Sequence, residues 1–216
     1  GETSLSEYDE VETEIRYGIE GELPLSLYPQ QIVEEQVGVE LTRPFPRDDA
    51  GEIVQVTETY TVTVGSSTVT RTREVNAPTT ATPVVRTTGA DAAGASIILA
   101  WQGGLFKYDD DGKRRHHGVS IKVEQRLVEA EEWQLVTQLD IVMTKAESFF
   151  RQHSWSFPSR GRWQVRLTML TDEATDSKVS QRTTWASLQT IRPEYPLAYP
   201  RPLALVALRI KATMPA

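Results

Sequence analysis

Apolar residues recur along this chain with a period of two, not of three or four. Val37, Val39 and Leu41 share one face of an extended segment, with Gly38 and Glu40 on the other. Tyr60, Val62 and Val64 alternate with Thr61 and Thr63, and after Gly65-Ser66-Ser67 the chain resumes as Thr68-Val69-Thr70-Arg71-Thr72-Arg73. Alternation marks a strand with one buried face, whereas a helix needs apolar positions at i, i+3, i+4 and i+7. No long stretch has that helical spacing between good caps. β-Branched runs around a short Gly/Ser turn predict a hairpin arm over residues 53–76, with Thr, Arg and Glu dominating both faces. Two strands alone are marginal in water, so the hairpin leans on another body or projects from one.

Beyond residue 82 the pattern becomes denser and more apolar. Strands are predicted over 82–88, 96–102, 119–127, 133–142, 149–157, 162–171 and 183–191. Polar turns separate them: Gly89-Ala90-Asp91, Asp109-Asp110-Asp111-Gly112, Glu129-Ala130-Glu131-Glu132, Pro158-Ser159-Arg160-Gly161 and Asp172-Glu173. Val119/Ile121/Val123 and Trp163/Val165/Leu167 each offer an alternating apolar face. Seven strands at this spacing predict an all-β sandwich of the immunoglobulin or fibronectin type III kind. The Cys pair and Tyr corner of antibody domains are not recognisable, so fibronectin type III is the closer analogue. The proline-rich residues 193–202 lack the N–H donors of a central strand and read as an extended crossover to a last strand over 203–210. The division expected is a flanking segment over 1–32, the sandwich with its arm over 33–191, and the crossover and returning strand over 192–216.

Composition narrows the function classes. The 216 residues carry a net charge of −7 and 39% hydrophobic residues, enough for a real core. With no cysteine, disulfide scaffolds, thiol nucleophiles and iron–sulfur sites are excluded. The acidic balance argues against a general nucleic-acid grip, since phosphate neutralisation needs clustered Lys and Arg, and Lys113-Arg114-Arg115 is too small a cluster to supply one. No apolar run approaches the ~18 residues that span a bilayer. Gly1 at the start and Met214-Pro215-Ala216 at the end suggest a piece of a longer polypeptide.

The candidate chemistry is thin. Asp109-Asp110-Asp111-Gly112 lacks the alternate carboxylate spacing and closing Glu of a calcium loop and reads as an acidic β-turn. His116 and His117 are neighbours on an extended segment and point to opposite faces, so they do not chelate one ion. His153 alternates with Trp155 and Phe157 as a half-buried strand residue, and no Gly-x-Ser-x-Gly elbow accompanies the serines. Glu34-Glu35 and Glu131-Glu132 read as solvated charges, and Gly103-Gly104 as an isolated pair after a strand. Trp101, Trp133, Trp155, Trp163 and Trp185 all fall in or beside predicted strands, and most of them are expected to fill the core, where a sugar platform would expose them. No catalytic, cofactor-binding or metal-binding residue is expected.

A series of landmarks points further. The run Tyr195-Pro196-Leu197-Ala198-Tyr199-Pro200-Arg201-Pro202 followed by Leu203-Ala204-Leu205-Val206-Ala207-Leu208-Arg209-Ile210 closes the chain. Before it come Gly103-Gly104-Leu105-Phe106, Asp111-Gly112, Val119 to Glu124, Glu132-Trp133, Gly161 to Arg166 and Trp185-Ala186-Ser187-Leu188. Upstream stand Glu14 to Gly18 before Pro24, and Val37 to Leu41. In this order they resemble the tail-tip attachment, or host-specificity, protein J family of lambda-like siphophages and prophages. One departure is plain: residues 42–82 separate the Val37 strand from Pro83-Val84-Val85-Arg86-Thr87, which follow closely in the family pattern. The resemblance implies a virion component at the tail tip, made in the host cytoplasm. It further implies a homotrimeric parent hub, a host surface receptor as partner, and no catalysis, cofactor, nucleic-acid specificity or membrane insertion. It also implies that residues 11–16 and 203–210 are strands of the hub that pair at the base of an inserted sandwich. The receptor-binding residues are not identified. A carbohydrate-binding or adhesion module, with coplanar exposed aromatics, and a depolymerase fragment, with a perturbed carboxylate pair, are the alternatives.

Overall fold

A computed structural model describes residues 10–19, 22, 25, 27, 31–192 and 203–211 of the chain. The described residues form fifteen strands. They are β1 Glu10–Arg16, β2 Gln31–Leu41, β3 Gln55–Val64, β4 Ser67–Asn76, β5 Val84–Thr87, β6 Ala92–Trp101, β7 Phe106–Tyr108 and β8 Arg114–Arg115. The chain continues through β9 His117–Leu127, β10 Gln134–Met143, β11 Phe149–Gly161, β12 Trp163–Met169, β13 Val179–Ser180, β14 Thr183–Arg192 and β15 Leu205–Lys211.

Two four-stranded antiparallel sheets carry the core, one ordered β10-β9-β12-β5 and the other β11-β6-β14-β2. All seven expected strands are present as β5, β6, β9, β10, β11, β12 and β14. Val119, Ile121 and Val123 of β9 and Val165 and Leu167 of β12 point inward against Ile97, Leu99 and Trp101 of β6 and Trp185 and Leu188 of β14. In an immunoglobulin domain the first strand borders the second and the last borders the sixth. Here β5 borders β12 and β14 borders β6, so these two strands have exchanged sheets. β2 covers the other side of β14, from Thr183 opposite Leu41 to Arg192 opposite Gln31.

Several expectations on local structure are corrected. Residues 158–161 are no turn: β11 runs on to Gly161, with a bulge between Ser156 and Gly161. β11 is an edge strand, where Pro158 breaks no ladder. A small sheet β13-β7-β8, formed by pieces of two or three residues too short to show periodicity, was not expected. The crossover over 193–202 and the residues past 211 lie outside the described residues, as do Gly1 and Pro24.

β1 and β15 pair antiparallel from Glu10 opposite Lys211 to Arg16 opposite Leu205. The two flanking segments therefore meet, as expected. Arg209 reaches Glu12 at 3.1 Å and the Leu27 carbonyl at 3.2 Å.

The hairpin β3–β4 turns through Gly65 and Ser66 alone, with Gly65 at φ 64°. Ser67 belongs to the strand. A glycine in the left-handed region at the first turn position is what a two-residue hairpin demands. The register sorts the side chains more sharply than expected. Val62 faces Val69 and Val56 faces Val75, with Tyr60 between them on the same side. On the other side Thr59, Thr61 and Thr63 face Thr72, Thr70 and Thr68. One face thus sets Val56, Tyr60, Val62, Val64, Val69 and Val75 around the charged Glu58, Arg71 and Arg73, while the other is mostly Thr with Gln55, Glu74 and Asn76, so only the second is polar throughout, as expected. Among the described residues no other strand pairs with the arm. Its base closes where Ala77 N–H donates to the Val54 carbonyl at 2.8 Å, with Ala77 buried. Replacing residues 55–76 by an Asn-Gly turn is expected to leave the sandwich's melting temperature within about 2 °C, because the excised strands bury nothing in its core. Calorimetry of the shortened chain checks this.

Candidate functional site

The residues singled out in the sequence do not converge. Asp109 accepts from the N–H groups of Asp111 at 3.1 Å and Lys113 at 2.8 Å and from Arg115 Nε at 2.7 Å. The Arg115 bond, with the Lys113 N–H, holds its carboxyl below the ordinary range. Asp110 is tied to Lys178 at 2.8 Å. The acidic turn is therefore an internally bonded loop, closed at Gly112 with φ 73°. His116 is exposed, while His117 Nε2 meets Gln181 Oε1 at 2.7 Å. His153 is half-buried and stacks on Trp155 at 5.7 Å. Glu34 accepts from Gln189 Nε2 at 2.8 Å, which lowers its pKa. Gly104, at φ 74°, sits against the Lys145 carbonyl, and Leu105 and Lys145 bridge beside it.

Trp101, Trp163 and Trp185 are buried. Trp101 stacks on Phe149 at 4.8 Å and Trp163 on Phe157 at 4.7 Å. Trp155 is half-buried, and its Nε1 donates across the sandwich to Gln125 Oε1 at 2.7 Å. Trp133, also half-buried, lies on the outer side under two guanidinium groups, Arg166 at 4.2 Å and Arg126 at 4.6 Å from the ring centre. Both distances fall within cation–π range.

That outer cluster is the most organised polar feature of the described residues. Glu124 of β9, only 7% exposed, accepts from Arg166 Nε at 2.8 Å and meets Lys122 at 3.2 Å. Arg126 adds a bond to Gln164 at 2.8 Å and one to the Glu131 carbonyl at 3.0 Å. The register sets Glu124 opposite Arg166 and Arg126 opposite Gln164. Burial alone pushes the Glu124 carboxyl up, and the Arg166 and Lys122 cations outweigh this and hold it below its ordinary value near 4.5. A depressed carboxylate stabilises the fold above its unfolded pKa, and that contribution is lost as pH falls through the folded one. Denaturant midpoints are expected to drop on acidification below about pH 4.5 in the native chain and to drop less in Glu124→Gln. Arg166→Ala is expected to lose about 2–3 kcal/mol at neutral pH by leaving the carboxylate underpaired.

A second feature is an open cleft of about 490 Å³ at one end of the sandwich. Charged side chains around it are matched: Arg182 with Glu40 at 2.8 Å, Arg43 with Asp172 at 3.0 Å, and Arg47 with Glu173 at 2.8 Å. The described residues hold no group of three or more His, Asp or Glu placed to take a metal ion.

This geometry is that of a packed sandwich with a braced outer face. Residues 66–194, 129 of the 216, match the family described as tip attachment protein J, FNIII-A domain. The chain belongs to the tip attachment protein J family. No curated protein matches it. As a member of that family it is a structural part of a phage tail tip, and its place is the tail of the virion. The match begins at the hairpin turn and takes in β4 to β14, so the FNIII-A region of this protein J chain spans the strands that make both sheets, β2 apart. The resemblance seen in the sequence is thereby shown, and with it the fibronectin type III-like sandwich.

Proposed function

We propose that the chain is a non-enzymatic, host-recognising part of the tail tip, a sandwich inserted into a hub domain through the β1–β15 ladder. In this reading it acts alongside further copies of the hub subunit, as a homotrimer in the parent protein, and meets a receptor on the host surface. It resides in the host cytoplasm until the tail assembles. The match to the tip attachment family carries the proposal. The electrostatics support its non-enzymatic side. Every described carboxylate with a shifted pKa, namely Glu22, Glu34, Asp109, Glu124 and Asp140, is shifted down. A glycosidase-type general acid needs a carboxyl held up. Burial of Trp101, Trp163 and Trp185, with Trp133 under its arginines, weighs against a sugar platform.

The test is competition. Purified chain added to susceptible cells is expected to bind the envelope and slow adsorption of the phage that carries it. Cells that neither take up the chain nor lose adsorption, while adsorbing intact virions normally, overturn the host-recognition part. Release of reducing sugar or peptide from host envelopes by the chain overturns the non-enzymatic part.

A further inference from the structure

Both long edges of the hairpin arm present unpaired backbone. Val64 and Ser67 close the two-residue turn, so alternate rungs exchange hydrogen bonds within the hairpin. The remaining N–H and C=O groups point outward, on β3 from the odd-numbered threonines and on β4 from the even-numbered residues. Exposed edges of this length invite another strand, and proteins guard them with proline, charge or cover. Neither strand contains proline, and among the described residues no other strand pairs with either. Over residues 59–64 the β3 edge reads Thr-Tyr-Thr-Val-Thr-Val, an uncharged, β-favouring run of the kind that pairs between chains.

The two edges differ in charge. β3 carries Glu58 alone, while β4 carries Arg71, Arg73 and Glu74. Two β4 edges paired about their middle bring arginines opposite each other, and like charges directly opposite destabilise a ladder. Two β3 edges meet without repulsion but leave Arg71 unmatched, and Arg71 has no carboxylate partner among the described residues. β3 against β4 matches opposite charges. Sliding the hairpin's own register by two residues sets Glu58 against Arg71, Tyr60 against Val69, Thr59 against Thr70 and Thr61 against Thr68.

We infer that the β3 edge of one copy of this chain takes the β4 edge of a second copy, antiparallel, in a head-to-tail contact. Two arms then form one four-stranded sheet, with the Thr-rich faces joined on one side and the Val/Tyr faces, with Glu58, Arg71 and Arg73 among them, joined on the other. Each copy offers one edge of each kind, so the contact continues from copy to copy until a ring closes. It does not depend on host recognition, since the purified chain alone tests it.

Thr61 and Thr70 form one rung and turn their N–H groups outward on opposite edges. Proline at either removes an outward donor and spares the hairpin's own ladder. Sedimentation of the native chain over a concentration series is expected to show association beyond a dimer. Thr61→Pro and Thr70→Pro each stay monomeric alone, and a one-to-one mixture recovers a heterodimer and nothing larger, because each variant supplies the edge the other lacks. Thr61→Lys and Thr70→Lys, which block an edge by charge, repeat the pattern without bending the backbone. A native chain that is monomeric throughout overturns the inference, as does a mixture that stays monomeric in both the proline and the lysine pairs. Thr70→Pro dimerising by itself assigns the contact to paired β3 edges and overturns it too.

Discussion

Alanine at Gly104 is expected to destabilise the sandwich by about 3–5 kcal/mol, with the urea midpoint falling and its slope unchanged. The position combines two demands. Its φ of 74° lies in the left-handed region, which costs an L residue roughly 1–2 kcal/mol. A Cβ there would also stand 2.2 Å from the Lys145 carbonyl oxygen and 2.7 Å from Ala146. Relief means moving backbone, because the Lys145 carbonyl accepts from the Leu105 N–H at 2.7 Å, and Leu105 is buried at 0% exposure. Gly112 is the control. Its φ of 73° is nearly the same, but a Cβ there meets nothing within 4 Å. Gly112→Ala is therefore expected to cost only the conformational part, about 1–2 kcal/mol, and the difference between the variants measures the crowding at Lys145. Equal losses would refute the crowding argument.

Trp185→Ala is expected to lose a similar amount, about 3–5 kcal/mol, by opening a cavity between the sheets. The indole does more than fill space. The ladders of β14 with β2 and with β6 both shift between Trp185 and Ser187: against β6 the extra residue of the bulge is Ala186, whereas against β2 it is β2 that carries the extra residue, at Val37-Gly38. Trp185 Nε1 donates to the Ser187 carbonyl at 2.9 Å, spanning that bulge. Trp185→Phe restores much of the volume and leaves the carbonyl without its donor, so a loss of about 1–3 kcal/mol is expected to persist. Trp101 makes the comparison sharp. It is equally buried, yet its Nε1 has no hydrogen-bond partner among the described residues. Trp101→Phe removes an unpartnered donor along with some volume and is expected to cost less than Trp185→Phe. The reverse order, read from denaturation midpoints, would show that the Ser187 bond does not brace the bulge.

The strands of the sandwich were legible because burial on one face writes itself as alternation. β9, with Val119, Ile121 and Val123 inward, and β12, with Trp163, Val165 and Leu167 inward, read correctly for that reason. β2 was legible only from Val37 onward. Its first half pairs with β14 through the backbone while the side chains of Ile32-Val33-Glu34-Glu35-Gln36 stay exposed, and backbone pairing leaves no mark on composition. The exchange of β5 and β14 between sheets was hidden likewise, since either arrangement buries the same faces. The outer cluster of Glu124, Arg166 and Trp133 had a partial signal in the alternating Lys122, Glu124 and Arg126. What joins them to Arg166, 42 residues on, is the register of β9 with β12, which no local pattern carries. In the hairpin the alternation of Thr with Val and Tyr was visible. The turn length decides which rungs meet, and so it separates the two faces.

The β1–β15 ladder places Arg16 directly opposite Leu205, roughly 5 Å away across one strand spacing. Seen from that ladder, residues 17–204 are a single long loop whose ends already touch. Lengthening a closed loop is cheap, about 0.6 kcal/mol for each doubling. The stem therefore tolerates wide variation in what it carries: a sandwich can gain an arm, lose one, or be traded for another body without straining the strands below. A chain built this way can exchange residues 17–204 as one block, because its two junctions, distant in sequence, lie side by side in the fold.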